Sequence, residues 1–231
     1  MGEAEGAEGP APAMNVFMAD DDSGFLRAYT KFFEKSPHVD LVGVADSGTG
    51  LVERLVDLEP DLLLLDVEMP GMSGVDVVRR LQGCSLPTKV VMLTSFDRDE
   101  YVQEALRYGA SGFLLKNASP AQILSGIRAV HAGQASLAME VKARLVDHFA
   151  GGGRTDRAEQ TGTGDDTPAF TFQQREICRL LAAGYRSQDI ADELHLSNET
   201  VRTYLRRMFD KFGVKNRTQL VVLAYRAGVL R

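Results

Sequence analysis

Cysteine is scarce in this chain. Among 231 residues only Cys84 and Cys178 occur, 94 positions apart. That excludes a disulfide framework and a Cys-rich zinc site, and it fits a reducing, cytoplasmic setting. Long hydrophobic runs are also missing. The densest, Leu62 to Leu65, is cut off by Asp66, far short of the roughly 18 apolar residues of a membrane helix. Residues 1–13 have neither a basic n-region nor an apolar core, so they do not read as a secretory signal; acidic and rich in Gly, Ala and Pro, they read as a disordered tail. Positive charge is in deficit as well: 26 Lys+Arg face 32 Asp+Glu, a formal net charge of −6. Taken as an average, that figure argues against a nucleic-acid partner.

What is present is ordinary for a folded protein: 44% hydrophobic and 25% charged residues, which excludes a wholly disordered chain. The length suits one large domain or two small ones, and the charges decide for two. Pro168 to Arg231 holds 11 basic and 6 acidic residues, a net of +5, which leaves 15 basic and 26 acidic before it, a net of −11. Between them, Gly151-Gly152-Gly153 and the polar stretch to Pro168 have linker composition. We therefore expect domains over 14–132 and 169–231, joined by a linker over 133–168 that contains a short helix from Met139 to Phe149.

The first region alternates two patterns. Val16–Met18, Leu41–Ala45, Leu62–Leu65, Val90–Leu93 and Gly112–Leu115 read as five strands. Amphipathic segments follow each in turn: Phe25–Glu34, Leu51–Leu58, Val75–Leu81, Tyr101–Tyr108 and Ile123–Val130. Strand and helix in strict alternation imply a five-stranded parallel α/β sheet, doubly wound and flavodoxin-like, with helices on both faces. Such sheets gather their polar sites at the carboxyl ends of the strands. There this sequence puts Asp20, Asp21 and Asp22 after the first strand, Asp66 after the third, Thr94 and Ser95 after the fourth, and Lys116 after the fifth. Clustered carboxylates need a cation, and an all-oxygen set without His or Cys suits Mg²⁺ rather than zinc. A lysine opposite them provides for an anion such as a phosphoryl group. An aspartate beside Mg²⁺, a lysine and a hydroxyl can accept a phosphoryl group, since that transfer needs mainly positioning and charge neutralisation. Asp22 or Ser23 reads as the cap of the first helix, and Ser119-Pro120 as an N-cap with proline at the first helical position.

Four motifs, Ala19-Asp-Asp-Asp22, Leu62-Leu-Leu-Leu-Asp-Val-Glu-Met-Pro-Gly-Met-Ser-Gly74, Val91-Met-Leu-Thr-Ser95 and Gly109-Ala-Ser-Gly-Phe-Leu-Leu-Lys116, together resemble the receiver domain of two-component response regulators. The resemblance implies that Asp66 is the phosphoacceptor. It implies further that Asp21 and Asp66 bind Mg²⁺ with the backbone carbonyl of Glu68, and that Asp20 acts through water. Thr94 and Lys116 would bind the phosphoryl oxygens, and Phe113 would be the aromatic that turns inward when Thr94 moves.

The basic region is helical. Thr171-Phe-Gln-Gln174 is a capping box opening a helix that Gly184 closes. Ser187–Leu194 reads as a second short helix, His195-Leu-Ser197 as a tight turn, Asn198–Phe212 as a third helix and Asn216–Ala227 as a fourth. In the third, Val201, Leu205, Met208 and Phe212 form one apolar stripe, opposite Glu199, Arg202, Thr203, Arg206 and Asp210. That is helix-turn-helix geometry in a small all-α, four-helix domain. Arg175-Glu-Ile-Cys-Arg-Leu-Leu-Ala-Ala-Gly184, Asp189-Ile-Ala-Asp-Glu-Leu194, Leu196-Ser-Asn-Glu-Thr-Val-Arg202 and Lys211-Phe-Gly-Val-Lys-Asn-Arg-Thr-Gln219 resemble the LuxR-type output domain of NarL/FixJ response regulators. By position, Arg202, Thr203 and Arg206 would meet base edges in the major groove. Ser187, Thr200, Arg207, Lys211 and Lys215 are candidates for phosphate contacts. Leu220, Val221, Leu223 and Ala224 would carry the dimer contact.

The expectation is a phosphorylation-gated transcription regulator. Its partners would be a sensor histidine kinase or small phosphodonor, a second copy of itself on activation, and double-stranded DNA with inverted or direct half-sites roughly 34–36 Å or a multiple apart; a membrane would not be among them. Two rivals stand beside it. A vestigial receiver would leave DNA binding independent of phosphorylation. An Asp-nucleophile phosphohydrolase would use the same groups as an enzyme, but it carries its nucleophile on the first strand with a second aspartate two residues later, whereas here Glu68 follows Asp66 by two. We expect no enzymatic turnover.

Overall fold

The computed structural model describes residues 13–84, 86–95, 99–138, 141 and 170–230. The expected tail, apart from Ala13, and nearly all of the helix expected over Met139 to Phe149 lie outside the described residues.

The first unit runs β1 (Met14–Ala19), α1 (Ser23–Phe33), β2 (Val39–Ala45), α2 (Leu51–Leu58), β3 (Leu62–Asp66), α3 (Gly74–Leu81), β4 (Lys89–Thr94), α4 (Asp99–Tyr108), β5 (Gly112–Leu115) and α5 (Pro120–His131). The sheet order is β2-β1-β3-β4-β5, with β6 (Ser136–Leu137) added beyond β5, every pair parallel. Alternate residues of the central strands enter two cores on opposite faces. Phe17, Leu63, Leu65, Met92 and Phe113 pack under α2, α3 and α4, while Val16, Met18, Leu62, Leu64, Val91 and Leu93 pack under α1 and α5. This two-sided covering explains why Leu62–Leu65 is an unbroken leucine run rather than an alternating one.

One strand exceeds the expected five. Ser136–Leu137 forms β6, in register with Gly112 and Phe113 of β5, and the Ala138 amide donates to the Phe113 carbonyl at 3.1 Å. Residues assigned from sequence to the linker thus complete the sheet edge, and Leu137 and Val141 enter the core beneath it.

The second unit holds α6 (Phe172–Ala182), α7 (Ser187–Glu193), α8 (Asn198–Phe212) and α9 (Arg217–Arg226). Thr171 closes the expected capping box with Gln174, Ser197 caps α8 through the Thr200 amide, and His195 takes a left-handed conformation (φ 52°) in the turn between α7 and α8. Val201, Leu205 and Met208 are buried against Ile177, Leu181 and Ile190 in one core, as the apolar stripe requires.

The units touch through the start of α9. Gln219 Nε2 donates to the Leu106 carbonyl at 2.6 Å, Thr218 Oγ1 to the Ser111 carbonyl at 2.6 Å, and Asn216 Nδ2 to the Gly109 and Ala110 carbonyls at 3.0 and 3.3 Å. The last carbonyls of a helix have no partners within it. Here a side chain from the other unit caps those of α4. Val222 of α9 is buried in the receiving unit's core, and Ala135, just before β6, packs on the output core. Among the described residues no helix is long and apolar enough to cross a membrane.

Candidate functional site

The strand order reverses direction between β1 and β3, which in an open α/β sheet opens a crevice at the carboxyl edge. Ala19 pairs with Leu65, so Asp20 and Asp66 emerge side by side. Asp66 is next to Leu93 on β4, and Thr94 next to Leu115 on β5, which brings Thr94 and Lys116 to the same edge. The Lys116 amide donates to the Thr94 carbonyl at 2.9 Å and locks that corner. The resulting cavity, about 230 Å³, is lined by Asp21, Asp66, Glu68, Thr94, Ser95, Tyr101 and Lys116 among others.

Gly74 keeps the turn after β3 tight. Its amide donates to the Val67 carbonyl at 2.9 Å, and a Cβ there would lie 1.9 Å from the Asp66 carbonyl oxygen. The glycine therefore lets α3 start directly against the backbone that carries Asp66.

Lys116 Nζ bridges the two buried carboxylates, 2.8 Å from Asp66 Oδ2 and 3.0 Å from each oxygen of Asp20. Burial raises the Asp20 pKa against the pull of the Asp22 amide and Lys116. Burial also pushes Asp66 up, to about 6; the Asp20 charge adds to that rise, while Lys116 and the Val67 amide oppose it. For Lys116, burial pulls downward, but the hydrogen bonds to Asp66 and Asp20 prevail and raise its pKa. One lysine thus faces two carboxylates in a poorly solvated site, which leaves an excess of negative charge.

That excess is the test for a cation. Asp20, Asp21 and Asp66 each offer a carboxylate oxygen within 4.8 Å of the others, and Asp20 Oδ2 is buried without a hydrogen-bond donor of good geometry. An all-oxygen donor set with surplus negative charge fits a hard divalent ion such as Mg²⁺.

Of the residues expected at this site, Asp20, Asp21, Asp66, Glu68, Thr94 and Lys116 converge. Asp22 caps α1, one of the two caps expected there, accepting from the Gly24 and Phe25 amides at 2.7 and 3.1 Å. Phe113 is already fully inside the core. Tyr101, from the first turn of α4, also lines the cavity; no local sequence signal marks it, because its place depends on how α4 docks.

In the output unit Arg202, Thr203, Arg206 and Arg207 are exposed along the outer side of α8, as is Lys211 on its last turn. Thr200 is engaged with the Ser197 cap at 2.8 Å. Two expectations need correction. Ser187 is buried, its Oγ accepting from Arg217 Nη2 at 2.6 Å, so in this conformation it is not offered to a phosphate. Leu220, Val221 and Ala224 are fully buried in their own domain's core, so of the expected dimer residues only Leu223 lies partly open on α9. Lys215 is exposed but lies against the Gly109 loop of the other unit.

A doubly wound receiver with an acidic crevice, coupled to a helix-turn-helix reading head, defines the class of two-component transcription regulators. Residues 16–128 match the family profile of the response regulator receiver domain, and residues 168–224 that of the bacterial regulatory proteins of the luxR family. The chain is 32% identical over 219 residues to an uncharacterized transcriptional regulatory protein, YxjL, of Bacillus subtilis (strain 168), covering 94% of this chain and 98% of the relative. It is 31% identical over 218 residues to the oxygen regulatory protein NreC of Staphylococcus aureus (strain JH9), covering 94% and 99%. A structure of the RcsB response regulator from Salmonella typhimurium, described for its conformational dynamism for DNA interaction, aligns with TM-score 0.56 at 25% identity, over 91% of this chain and 97% of that one. The chain belongs to the NarL-type response regulators, which join a receiver to a LuxR-type output domain, and it regulates transcription through two-component signalling.

Proposed function

We propose that Asp66 is the phosphoacceptor of this regulator and that its phosphorylation, by a partner histidine kinase or a small phosphodonor, controls DNA binding. The carrying observation is the Asp66 carboxylate at the sheet's switch point, 2.8 Å from Lys116 and grouped with Asp20 and Asp21. Asp21, Asp66 and the Glu68 carbonyl are the groups that would hold Mg²⁺, with Asp20 acting through water; the ion, when bound, neutralises charge on the transferring phosphoryl group. A carboxylate oxygen of Asp66 forms the bond to phosphorus as the donor's bond to it breaks. Lys116 pairs with the phosphoryl oxygens, and Thr94 hydrogen-bonds them. The new group carries close to −2 at neutral pH. Its pull on Thr94 is transmitted to Phe113 and to α4, which runs from Tyr101 at the cavity to the carbonyls that Gln219 caps. Shifting α4 weakens that cap and frees the output domain to dimerise on DNA. There Arg202, Thr203 and Arg206 read bases, while Arg207 and Lys211 contact phosphates. The chain acts as a regulator rather than as a phosphohydrolase.

The test is intact-mass analysis with acetyl phosphate and Mg²⁺. Wild type should gain one adduct of roughly 80 Da, and Asp66→Asn none. An unmodified wild type, or an adduct of equal yield on the variant, would overturn the assignment.

A further inference from the structure

At the opposite, amino edge of β4 and β5 lies a second cavity, about 380 Å³, walled by both domains. The receiver contributes Lys89, and the output domain contributes Lys215 and Arg217; among the described residues no carboxylate lines the cavity. Asn216, the N-cap of α9, also lines it, so the positive end of a ten-residue helix opens on the same space. The cations are poorly compensated. Arg217 Nη2 has the Ser187 hydroxyl, but Nη1 is buried without an acceptor. Lys89 Nζ donates to the His131 carbonyl at 2.7 Å, a neutral partner. Of the charges acting on the pair, Asp61 favours Lys89, whereas Arg217 opposes Lys89 and Arg202 opposes Arg217. Every hydrogen bond described above between the two domains is neutral, from amide or hydroxyl to carbonyl, so none of them offsets the like charges that meet at this cleft. A partly buried guanidinium with an orphaned nitrogen is costly unless an anion accompanies it.

We propose that this interdomain cleft binds a small polyanion of the di- or triphosphate class, held by Lys89, Lys215 and Arg217. A site divided between domains exists only while they are docked, so the anion favours the docked arrangement. The phosphate chain can come from a free anion or from a nucleotide, and the two sources are separable.

The experiment is calorimetric titration of the full chain, in EDTA and at constant ionic strength, with inorganic pyrophosphate and separately with ADP. Saturable pyrophosphate binding is expected, weakened about tenfold in Lys89→Gln and in Lys215→Gln by loss of one charge-assisted contact each. Lys35→Gln, at an exposed lysine in the turn after α1 that does not line the cleft, should bind as wild type does. Comparable affinity for ADP assigns the site to the phosphate chain alone, and tighter binding of ADP assigns it to a nucleotide; both support the proposal. Binding of ADP without pyrophosphate would show that the base is recognised, and would overturn it. So would unchanged affinity in both lysine variants, provided their circular dichroism and phosphorylation by acetyl phosphate match wild type. Absence of pyrophosphate binding together with weakened promoter binding in Lys89→Gln would assign the cleft to DNA backbone and overturn it equally.

Discussion

Removing the charge of Asp66 should stabilise the metal-free protein, and the gain should depend on pH in a defined way. In the native state burial, with the Asp20 charge adding to it, lifts the Asp66 carboxyl from 3.8 to about 6. Between those values the folded protein holds a proton that the unfolded chain has lost, so stability falls as pH rises through the window and stays lowered above about 6. At about 1.36 kcal/mol per pKa unit, and allowing for solvent screening at the rim of the crevice, the ionised carboxylate costs about 1–3 kcal/mol. Asp66→Asn keeps the shape and deletes the charge. In EDTA the variant should match wild type near pH 4 and exceed it by about 1–3 kcal/mol at pH 8, a rise in melting temperature of roughly 2–10 °C. Thermal and urea unfolding followed by circular dichroism, at unit steps from pH 4 to 8, would measure it. Added Mg²⁺ should narrow the difference, because an ion that binds only the native wild type stabilises it by mass action. A difference that does not vary with pH, or a variant less stable than wild type at pH 8, would refute the account of burial and surplus negative charge.

Two further substitutions probe the supports of the site. Gly74→Ala should destabilise the receiver by about 1–3 kcal/mol, as overpacking does, and slow phosphorylation by acetyl phosphate, since the new Cβ would drive the Asp66 backbone from its place; urea unfolding and the rate of adduct formation report both. Gln219→Ala should weaken the cap on α4 at a cost of about 1 kcal/mol, seen as faster amide hydrogen exchange in α4 and tighter promoter binding without phosphodonor, while Asp66 still takes up its adduct and, by linkage, at least as readily as in wild type.

Much of this architecture is legible in the sequence because the signals are local and repeated. Strand–helix alternation gives the sheet its parallel order, and that order alone carries Asp20, Asp66, Thr94 and Lys116 to one edge. The capping box at Thr171 rests on side chains three residues apart and forms as read, as does the Ser119 N-cap with Pro120 behind it. What escapes has no local signature. A two-residue strand such as Ser136–Leu137 shows no periodicity, and exists because β5 offers an open edge. Asn216, Thr218 and Gln219 look like the polar start of any helix, and only docking turns them toward the receiver's carbonyls. The apolar side chains of α9 are ambiguous for a related reason: Leu220, Val221 and Ala224 fill the domain's own core, and one helix stripe cannot reveal which of two bodies it serves. The charge average misled in a different way, by summing a −11 region and a +5 region whose fields act on different partners.

The cap that Gln219 places on α4 has a thermodynamic corollary. If strain at the phosphoacceptor loosens the cap, then whatever draws the output domain away must ease strain at the phosphoacceptor by the same free energy, because linkage between two binding events is reciprocal. Operator DNA is therefore an effector of the receiver as well as its target. A promoter carrying the proper half-sites would raise the equilibrium occupancy of Asp66 by as much as the phosphoryl group raises affinity for that promoter, so the genes under control would hold part of the memory of the signal.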